Sequence, residues 1–235
     1  MPAASVTRAD VVVVGAGAAG LFTALAAARA GARAALVSAT PLADTASYWA
    51  QGGIAAALAA DDDPALHQTD TERAGRALTR ASAAKVLTTE APERVRDLEH
   101  LGVRFDADRH GNLALGLEGG HSRRRVVHAG GSATGRRVVR QLSAVAVETD
   151  GIEVIEGARA ARLWTREGRC VGVVCEDGRA IHARAPTRCN IRLLGISNSM
   201  YPQKNTLAPT ANDASLRPNS AAMCSLAKLM LTRSR

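Results

Sequence analysis

The feature that most constrains the fold is a glycine-rich turn between an apolar strand and a helix near the start of the chain. Val11–Val14 is a short β-branched run of the kind found in buried parallel strands. Residues 15–20 read GAGAAG, a G-x-G-x-x-G motif, and strong helix formers follow over residues 21–30. Gly31 stands where a helix would end, and residues 34–37 resume a strand. The pattern predicts a βαβ unit that closes in about thirty residues, the expected size.

The three glycines of this motif have separate tasks. Gly15 permits the tight turn, Gly17 lets a pyrophosphate approach the backbone, and Gly20 lets the helix pack closely on the strand. The N-terminus of the following helix offers unpaired N–H groups and a partial positive charge. With a strand before it and a helix after it, the motif predicts a dinucleotide site rather than a structural turn. Ser38 and Ala39 stand where an acidic residue commonly binds the ribose, which argues against an ordinary NAD site.

Composition excludes several classes of protein. No apolar run approaches the length of a membrane span, and the first ten residues lack a basic leader followed by a long apolar core. The four cysteines show no metal-ligand spacing, and the adjacent carboxylates of residues 61–63 face different directions, so no metal site is predicted. Basic and acidic residues alternate before residue 186, which does not favour a nucleic-acid surface. We therefore expect a cytoplasmic protein with reduced thiols.

A second chemically dense stretch lies in the middle of the chain. Residues 118–131 read EGGHSRRRVVHAGG and combine one carboxylate, two imidazoles and three guanidiniums with four glycines. This density in a glycine-rich loop favours a functional surface, since arginine side chains suit carboxylate or phosphate groups. An exposed basic loop is the alternative. Gly52 and Gly53, beside an apolar run that reads as helical, indicate either backbone close to a ligand or a simple turn.

Periodicity predicts most of the remaining elements. They are helices over 67–77, 82–101 with an interruption at Pro92, and 133–147, and strands over 152–156, 160–165, 171–176 and 180–183. Turns between the last three strands indicate a β-meander beside the parallel sheet. From Pro186 the composition changes to one richer in asparagine and proline. We expect residues 186–220 to be poorly ordered, with a short helix over 221–231.

The motifs together resemble a known family. The opening βαβ unit, residues 47–55 (SYWAQGGIA), and residues 118–122 (EGGHS) with Arg124, Arg125 and His128 resemble the L-aspartate oxidases. These belong to the flavoprotein group of succinate dehydrogenases and fumarate reductases. The resemblance covers about residues 8–185. It implies an α/β fold, with a Rossmann-like FAD-binding domain that has a parallel sheet and a β-meander and is incomplete at the C-terminus.

The resemblance also implies an activity. FAD would be bound non-covalently and would oxidise L-aspartate to iminoaspartate, with oxygen or fumarate reoxidising the flavin. This is the first step of de novo NAD biosynthesis, in which quinolinate synthase consumes the imine. Succinate dehydrogenases attach FAD through a histidine five residues before the glutamine of Ala-Gln-Gly-Gly; this chain has Ala46 there, which excludes that bond.

Site residues follow from the same resemblance. Glu118 would orient the substrate by pairing with its ammonium group, which selects an amino acid over succinate. His121 and Arg124 are further candidates in the same loop. The flavin cofactor would be contacted by Gly15, Ala16, Gly17, Ala18, Ala19, Gly20, Ser38, Ala39, Ala46, Ser47, Tyr48, Trp49, Ala50, Gln51, Gly52 and Gly53.

The end of the chain departs from the family pattern. We expect residues 1–185 to form a partial FAD-binding domain and residues 186–235 to be an unmatched tail, the product of a shifted reading frame or a truncated gene. The family's catalytic arginine lies beyond the matched part, so no catalytic acid or base is assigned. We expect this chain by itself to bind FAD weakly or not at all and to turn over no aspartate. A fumarate reductase-like or succinate dehydrogenase-like flavoprotein and a non-catalytic nucleotide-binding remnant are the alternatives.

Overall fold

The computed structural model describes residues 6–183. The predicted domain boundary at residue 185, the tail over 186–235 and its helix over 221–231 lie outside the described residues. The described elements, in chain order, are β1 (Val6–Ala9), β2 (Val11–Val14), α1 (Ala18–Arg29), β3 (Ala34–Val37), β4 (Ile54–Ala55), α2 (Pro64–Ala74), α3 (Ala81–His100), β5 (Leu115–Gly116), β6 (Val126–Val127), α4 (Thr134–Glu148), β7 (Ile152–Ile155), β8 (Ala160–Arg166), β9 (Arg169–Cys175) and β10 (Ala180–Ala183).

A parallel sheet in the order β2-β3-β7 forms the centre of the fold. Val13 pairs with Leu36, and Leu36 pairs with Val154. Helices α1 and α4 pack together on one face of this sheet, where Leu25 and Leu142 are buried. The predicted βαβ unit is confirmed. Helix α1 starts three residues earlier than predicted, because the glycine turn leads into it with Gly17 as its N-cap.

The predicted β-meander covers the opposite face of the parallel sheet. It forms a second sheet in the order β1-β10-β9-β8, and Val173 and Ile181 from it are buried in one cluster with Val12 and Ala35. Successive strand residues alternate between faces, so Val12 meets the meander while Val13 meets the helices. Strand β1 was not predicted. It pairs in parallel with β10, far along the chain, and no local pattern identifies such a partner.

A third, small sheet in the order β4-β6-β5 is antiparallel. The helix predicted after Gly52 and Gly53 is wrong, because Ile54–Ala55 pairs with Val126–Val127 instead. Gly53 is required by this pairing: a Cβ there would lie 2.4 Å from both the Val127 carbonyl oxygen and Val126 Cγ1. The close approach made by Gly53 is therefore to strand β6.

Two helices differ in extent from the prediction. Helix α2 begins at Pro64, three residues early, because the Asp63 carboxylate accepts hydrogen bonds from the Ala65 and Leu66 N–H groups at 2.7 and 2.9 Å. It ends at Ala74 rather than at residue 77. Helix α3 runs unbroken through Pro92, where an interruption was predicted. Thr88 and Val95 are buried on either side of the proline, so tertiary packing keeps both halves in line. No helix within residues 6–183 is long and apolar enough to cross a membrane.

Candidate functional site

The glycine turn at the start of α1 has the geometry that a bound diphosphate requires. Gly15 adopts φ +99°, and its N–H donates to the Val37 carbonyl at 2.7 Å. A Cβ on Gly20 would lie 1.8 Å from the Gly15 carbonyl oxygen, so no side chain fits there. Gly17 is the N-cap and has no side chain to cap the helix, and the first turn carries no acidic residue. The turn therefore fits a dinucleotide pyrophosphate, to which the first N–H groups of α1 would donate.

The carboxyl end of β3 lies close to this turn. Ser38 is buried, and its hydroxyl donates to the Thr40 carbonyl at 2.6 Å, while Ala39 is exposed. The Ser38 backbone N–H and carbonyl continue the pairing towards residues 155 and 158. The Ser38 side chain thus stabilises the strand end, and Ala39 beside it is exposed.

Residues 46–53 run between the glycine turn and the start of α4. A Cβ on Gly17 would meet the Ser47 hydroxyl at 2.9 Å. A Cβ on Gly135 would lie 2.0 Å from the Ser47 carbonyl oxygen, and the Gly135 N–H donates to the Ala50 carbonyl at 2.9 Å. The segment is thereby fixed at its middle, while the Trp49 side chain stays 70% exposed. The predicted helix over residues 133–147 includes Gly135, but no pattern in the sequence predicted this close contact.

The segment over residues 46–53 and the glycine-rich stretch over residues 118–131 meet at a cleft of about 630 Å³. Its lining residues are Gln51, Gly52, Asp106, Ala114, Leu115, Gly116, Glu118, His128, Gly131 and Ser132. Glu118 thus shares a cleft with Gln51 and Gly52, although the chain separates them widely. The small antiparallel sheet brings them together, because β4 follows one motif segment and β5 precedes the other.

Within the cleft, Glu118 pairs with His128. The His128 Nε2 atom lies 2.9 Å from Glu118 Oε1. The His128 carbonyl accepts a hydrogen bond from the Asp106 N–H at 2.7 Å, which fixes the backbone after β6. In the sequence His128 was only part of the family motif; the structure makes it the direct partner of Glu118.

Asp106 holds the loop that leads into α4. Its carboxylate accepts hydrogen bonds from the Gly130 and Gly131 N–H groups at 2.7 and 2.8 Å. These two backbone bonds lower the pKa of Asp106 below its ordinary value. Both glycines have positive φ, +69° and +61°. The sequence holds no local signal for this role of Asp106, because its partners lie far along the chain.

Residues 118–125, which we call the central loop, carry three arginines whose side chains differ in burial and in partners. Arg125 is fully buried, and its guanidinium donates to Asp62 through Nε and Nη2, each at 2.8 Å, and to Asp70 through Nη1 at 2.7 Å. Its partners are the protein's own carboxylates, so it is neither a ligand-binding arginine nor part of an exposed basic loop. Arg124 is exposed and lines a separate cleft of about 520 Å³ with Arg123.

A cluster of charged and polar groups forms around Arg125, and within it Arg125, Asp70 and His67 are buried. We call this group the Arg125 cluster; its members are Asp62, His67, Asp70, His121, Ser122 and Arg125. The Ser122 N–H and hydroxyl each donate to Asp70 Oδ2 at 2.7 Å. Burial would raise the pKa of Asp70, but the hydrogen bonds from Ser122 and Arg125 outweigh it and lower the pKa to about 2. Among the described residues, no group of carboxylate, imidazole and thiol side chains is arranged to hold a metal ion.

His121 belongs to this cluster rather than to the cleft. Its Nδ1 lies 3.3 Å from Arg125 Nη1, and its ring packs edge-on against His67 with centroids 5.5 Å apart. The cleft lining therefore includes Glu118 but neither His121 nor Arg124. Of the three candidates that sequence reasoning placed in this loop, one faces the cleft.

His67 should make the stability of the fold sensitive to mild acid. Burial, then the charges of Arg125 and His121, lower its pKa from 6.5 to about 4, against the opposing effect of Asp62 and Asp70. Between these values the unfolded chain binds more protons than the folded chain, so the free energy of unfolding falls as pH drops through that window. We expect His67→Gln to flatten this dependence in urea titrations from pH 7 to pH 4. His110→Gln, at an exposed histidine, is the control and should keep the slope.

Comparisons with known proteins agree with this geometry. A family model for the FAD binding domain matches residues 10–216. The chain is 46% identical over 186 residues to the L-aspartate oxidase of Streptomyces coelicolor, covering 75% of this chain and 32% of that protein. It is 47% identical over 178 residues to the L-aspartate oxidase of Caulobacter vibrioides, covering 74% of this chain and 35% of that protein.

A solved structure shows the same fold. The quinol fumarate reductase of E. coli superposes with a TM-score of 0.72 at 26% identity, covering 77% of this chain and 32% of that chain. The chain spans about a third of the length of the curated relatives it matches. The predicted resemblance, the α/β fold class and FAD as the cofactor are confirmed. On this evidence the chain belongs to the family of FAD-binding domains.

Proposed function

We propose that this chain provides the flavin-binding part and one wall of the substrate site of an L-aspartate oxidase, which converts L-aspartate to iminoaspartate as the first step of de novo NAD biosynthesis. The observation that carries this proposal is the single cleft shared by Gln51, Gly52 and Glu118. The identity of 46% and 47% to L-aspartate oxidases supports it.

The proposed FAD contacts follow the chain from the glycine turn to the cleft. Residues 15–20 would hold the pyrophosphate, Ser38 and Ala39 would lie at the adenosine ribose, and residues 46–53 would run along the flavin. Ala46 offers no atom for a covalent bond, so the cofactor would be held non-covalently. Residues 1–185 would make up the FAD-binding part, and residues 186–235 would derive from a shifted frame. The family match, which extends to residue 216, runs against a boundary at residue 185.

Bound FAD supplies the two-electron oxidation that no side chain can perform. The chain's own task is to bind and orient the substrate. Glu118 would pair with the substrate ammonium and favour an amino acid over succinate, whose charge it would repel. Among the described residues, those that line the cleft include no arginine or lysine. The two carboxylates of aspartate would therefore need cationic groups from elsewhere, so we expect no turnover by this chain alone.

A succinate- or fumarate-specific flavoprotein is the second candidate, favoured by the structural likeness to quinol fumarate reductase. The position of Glu118 in the cleft argues against it, because a carboxylate there disfavours a substrate with only negative charges. A nucleotide-binding remnant without a substrate is the third. Oxygen or fumarate as electron acceptor, quinolinate synthase as partner and the cytoplasm as compartment remain proposals that follow from the oxidase assignment.

Tryptophan fluorescence tests the flavin site directly. The chain has two tryptophans: Trp49, two residues before the cleft-lining Gln51, and Trp164 in β8. We expect added FAD to bind weakly and to quench the emission of Trp49. Trp164→Phe should keep this quenching, whereas Trp49→Phe should remove it. Quenching by FAD that persists in Trp49→Phe would contradict the site, and a purified protein already saturated with FAD would contradict the weak binding.

Substrate class is tested on the FAD-loaded chain. We expect L-aspartate to change flavin fluorescence at lower concentration than succinate, and Glu118→Gln to remove this preference. Under anaerobic conditions the flavin should stay oxidised in the presence of L-aspartate. A stronger response to succinate would support the second candidate, and no response to either compound would support the third.

A further inference from the structure

The imidazole of His128 occupies a narrow slot between two glycines. A Cβ on Gly53 would lie 3.0 Å from His128 Nε2, and a Cβ on Gly116 would lie 3.3 Å from His128 Cε1. These glycines flank the ring from the start of β4 and from β5. Both positions therefore have to lack a side chain for the ring to lie here, because a Cβ at either one would press on it.

The backbone around His128 is held by hydrogen bonds to Asp106. The His128 carbonyl accepts from the Asp106 N–H at 2.7 Å, and the Asp106 carboxylate binds the two N–H groups of Gly130 and Gly131 that follow. The residue thus sits at the end of β6, held from both directions. Glu118 is held much less: its side chain is 50% exposed, whereas that of His128 is 26% exposed.

The hydrogen bond between them joins a largely buried side chain to a half-exposed one. His128 Nε2 lies 2.9 Å from Glu118 Oε1. An ionised carboxylate only accepts hydrogen bonds, so Nε2 carries the proton that is shared. One carboxylate oxygen of Glu118 is occupied in this way, and Oε2, which has no hydrogen-bond partner within residues 6–183, is left for a ligand in the cleft. A half-exposed glutamate without this bond would lose rotamer freedom on binding a ligand, and this entropy loss would lower the affinity for the ligand.

We propose that His128 is a positioning residue that holds the Glu118 carboxylate in the cleft and thereby sets the preference for an amino dicarboxylate over a plain dicarboxylate. This inference rests on the proposed function of Glu118 as the group that pairs with the substrate ammonium. His128 acts through Glu118 and touches no reacting atom.

The positioning role is tested without any substrate. In the full chain labelled with ¹⁵N at histidine, His128→Gln identifies the ring signals of His128. Glu118→Gln is then expected to shift those signals and to leave those of His182, which packs against Trp164, unchanged. Ring signals of His128 that do not move in Glu118→Gln would overturn the positioning role, whatever the substrate of the protein.

Selectivity is tested with three variants of the FAD-loaded chain. His128→Leu removes the hydrogen-bond donor at similar side-chain volume. We expect it to weaken the binding of L-aspartate by about tenfold relative to the binding of succinate. His128→Gln can still donate from its amide and should restore most of the preference. Glu118→Gln combined with His128→Leu should show no loss beyond that of Glu118→Gln alone, since the histidine acts through the glutamate.

The outcomes separate the two levels of the proposal. If His128→Leu weakens the binding of L-aspartate and of succinate equally, or changes neither, the selectivity assigned to His128 is overturned. A wild-type chain that does not distinguish the two ligands would overturn the proposed function and with it this selectivity. The histidine signals decide the contact between His128 and Glu118 in either case.

Discussion

Arg125→Met is expected to lower the free energy of unfolding by about 3–5 kcal/mol, because it leaves two buried carboxylates without their cation. Asp62 and Asp70 are 0% and 4% exposed, and both receive charged hydrogen bonds from the Arg125 guanidinium. Methionine fills the space but offers no donor. The loss is a large part of the stability of a domain of this size. Urea unfolding followed by circular dichroism measures it.

Two comparisons make this result specific. Arg124→Met, at the exposed neighbour, should change the unfolding free energy by less than about 0.5 kcal/mol. Asp70→Asn should also destabilise the fold, since Asp70 accepts the bonds from Ser122 as well as from Arg125. Equal stabilities of Arg125→Met and Arg124→Met would show that the Arg125 cluster contributes nothing to the fold.

Arg125→Met should also affect ligand binding in the cleft that contains Glu118. The central loop carries Glu118 at its start and Arg125 at its end, and Ser122 between them is bound to Asp70 on α2. Freeing this loop from α2 would let Glu118 sample positions outside the cleft. We therefore expect weaker binding of L-aspartate in Arg125→Met even at temperatures where the variant remains folded.

Gly20→Ala is the second large prediction. The added Cβ would lie 1.8 Å from the Gly15 carbonyl oxygen, a backbone atom that cannot rotate away. Helix α1 must then move from the glycine turn, at an expected cost of about 3 kcal/mol or more. Because that movement also displaces the first N–H groups of α1, we expect FAD binding to be lost. The measurements are urea unfolding and the quenching of Trp49 by FAD.

Gly17→Ala is the matched variant in the same turn, and it should behave differently. Gly17 has φ −68°, which alanine adopts freely, and its Cβ would meet only the Ser47 hydroxyl, at 2.9 Å. We expect the stability to change by less than about 1 kcal/mol while the FAD affinity falls by about tenfold or more, since this glycine is the one that lets a pyrophosphate approach. Gly119→Ala, where the Cβ meets nothing within 4 Å, should change neither. A Gly20→Ala chain with normal stability and FAD affinity would refute the steric argument.

Sequence patterns predicted the elements whose signals are local. The β-branched run, the glycine turn and the helix formers of residues 11–30 are adjacent in the chain, and they form the predicted βαβ unit. The three strands of the meander are separated by short turns and were also predicted. The helix expected after Gly53 was wrong for the opposite reason: whether a short apolar run becomes helix or strand depends on its partner, here β6, which lies far along the chain.

The candidate site divides in the same way. The sequence by itself determined that a glycine turn leads into α1, because glycine placement and helix capping act over a few residues. It also identified the segment 46–53 and the loop with Glu118 as motifs. Only the tertiary structure decided that Glu118 faces Gln51 across one cleft, that His128 is its partner, and that Arg125 binds Asp62 and Asp70 rather than a ligand. A charged side chain pairs with whichever group the fold brings within about 3 Å, and that choice depends on packing between distant segments rather than on the residues beside it in the chain.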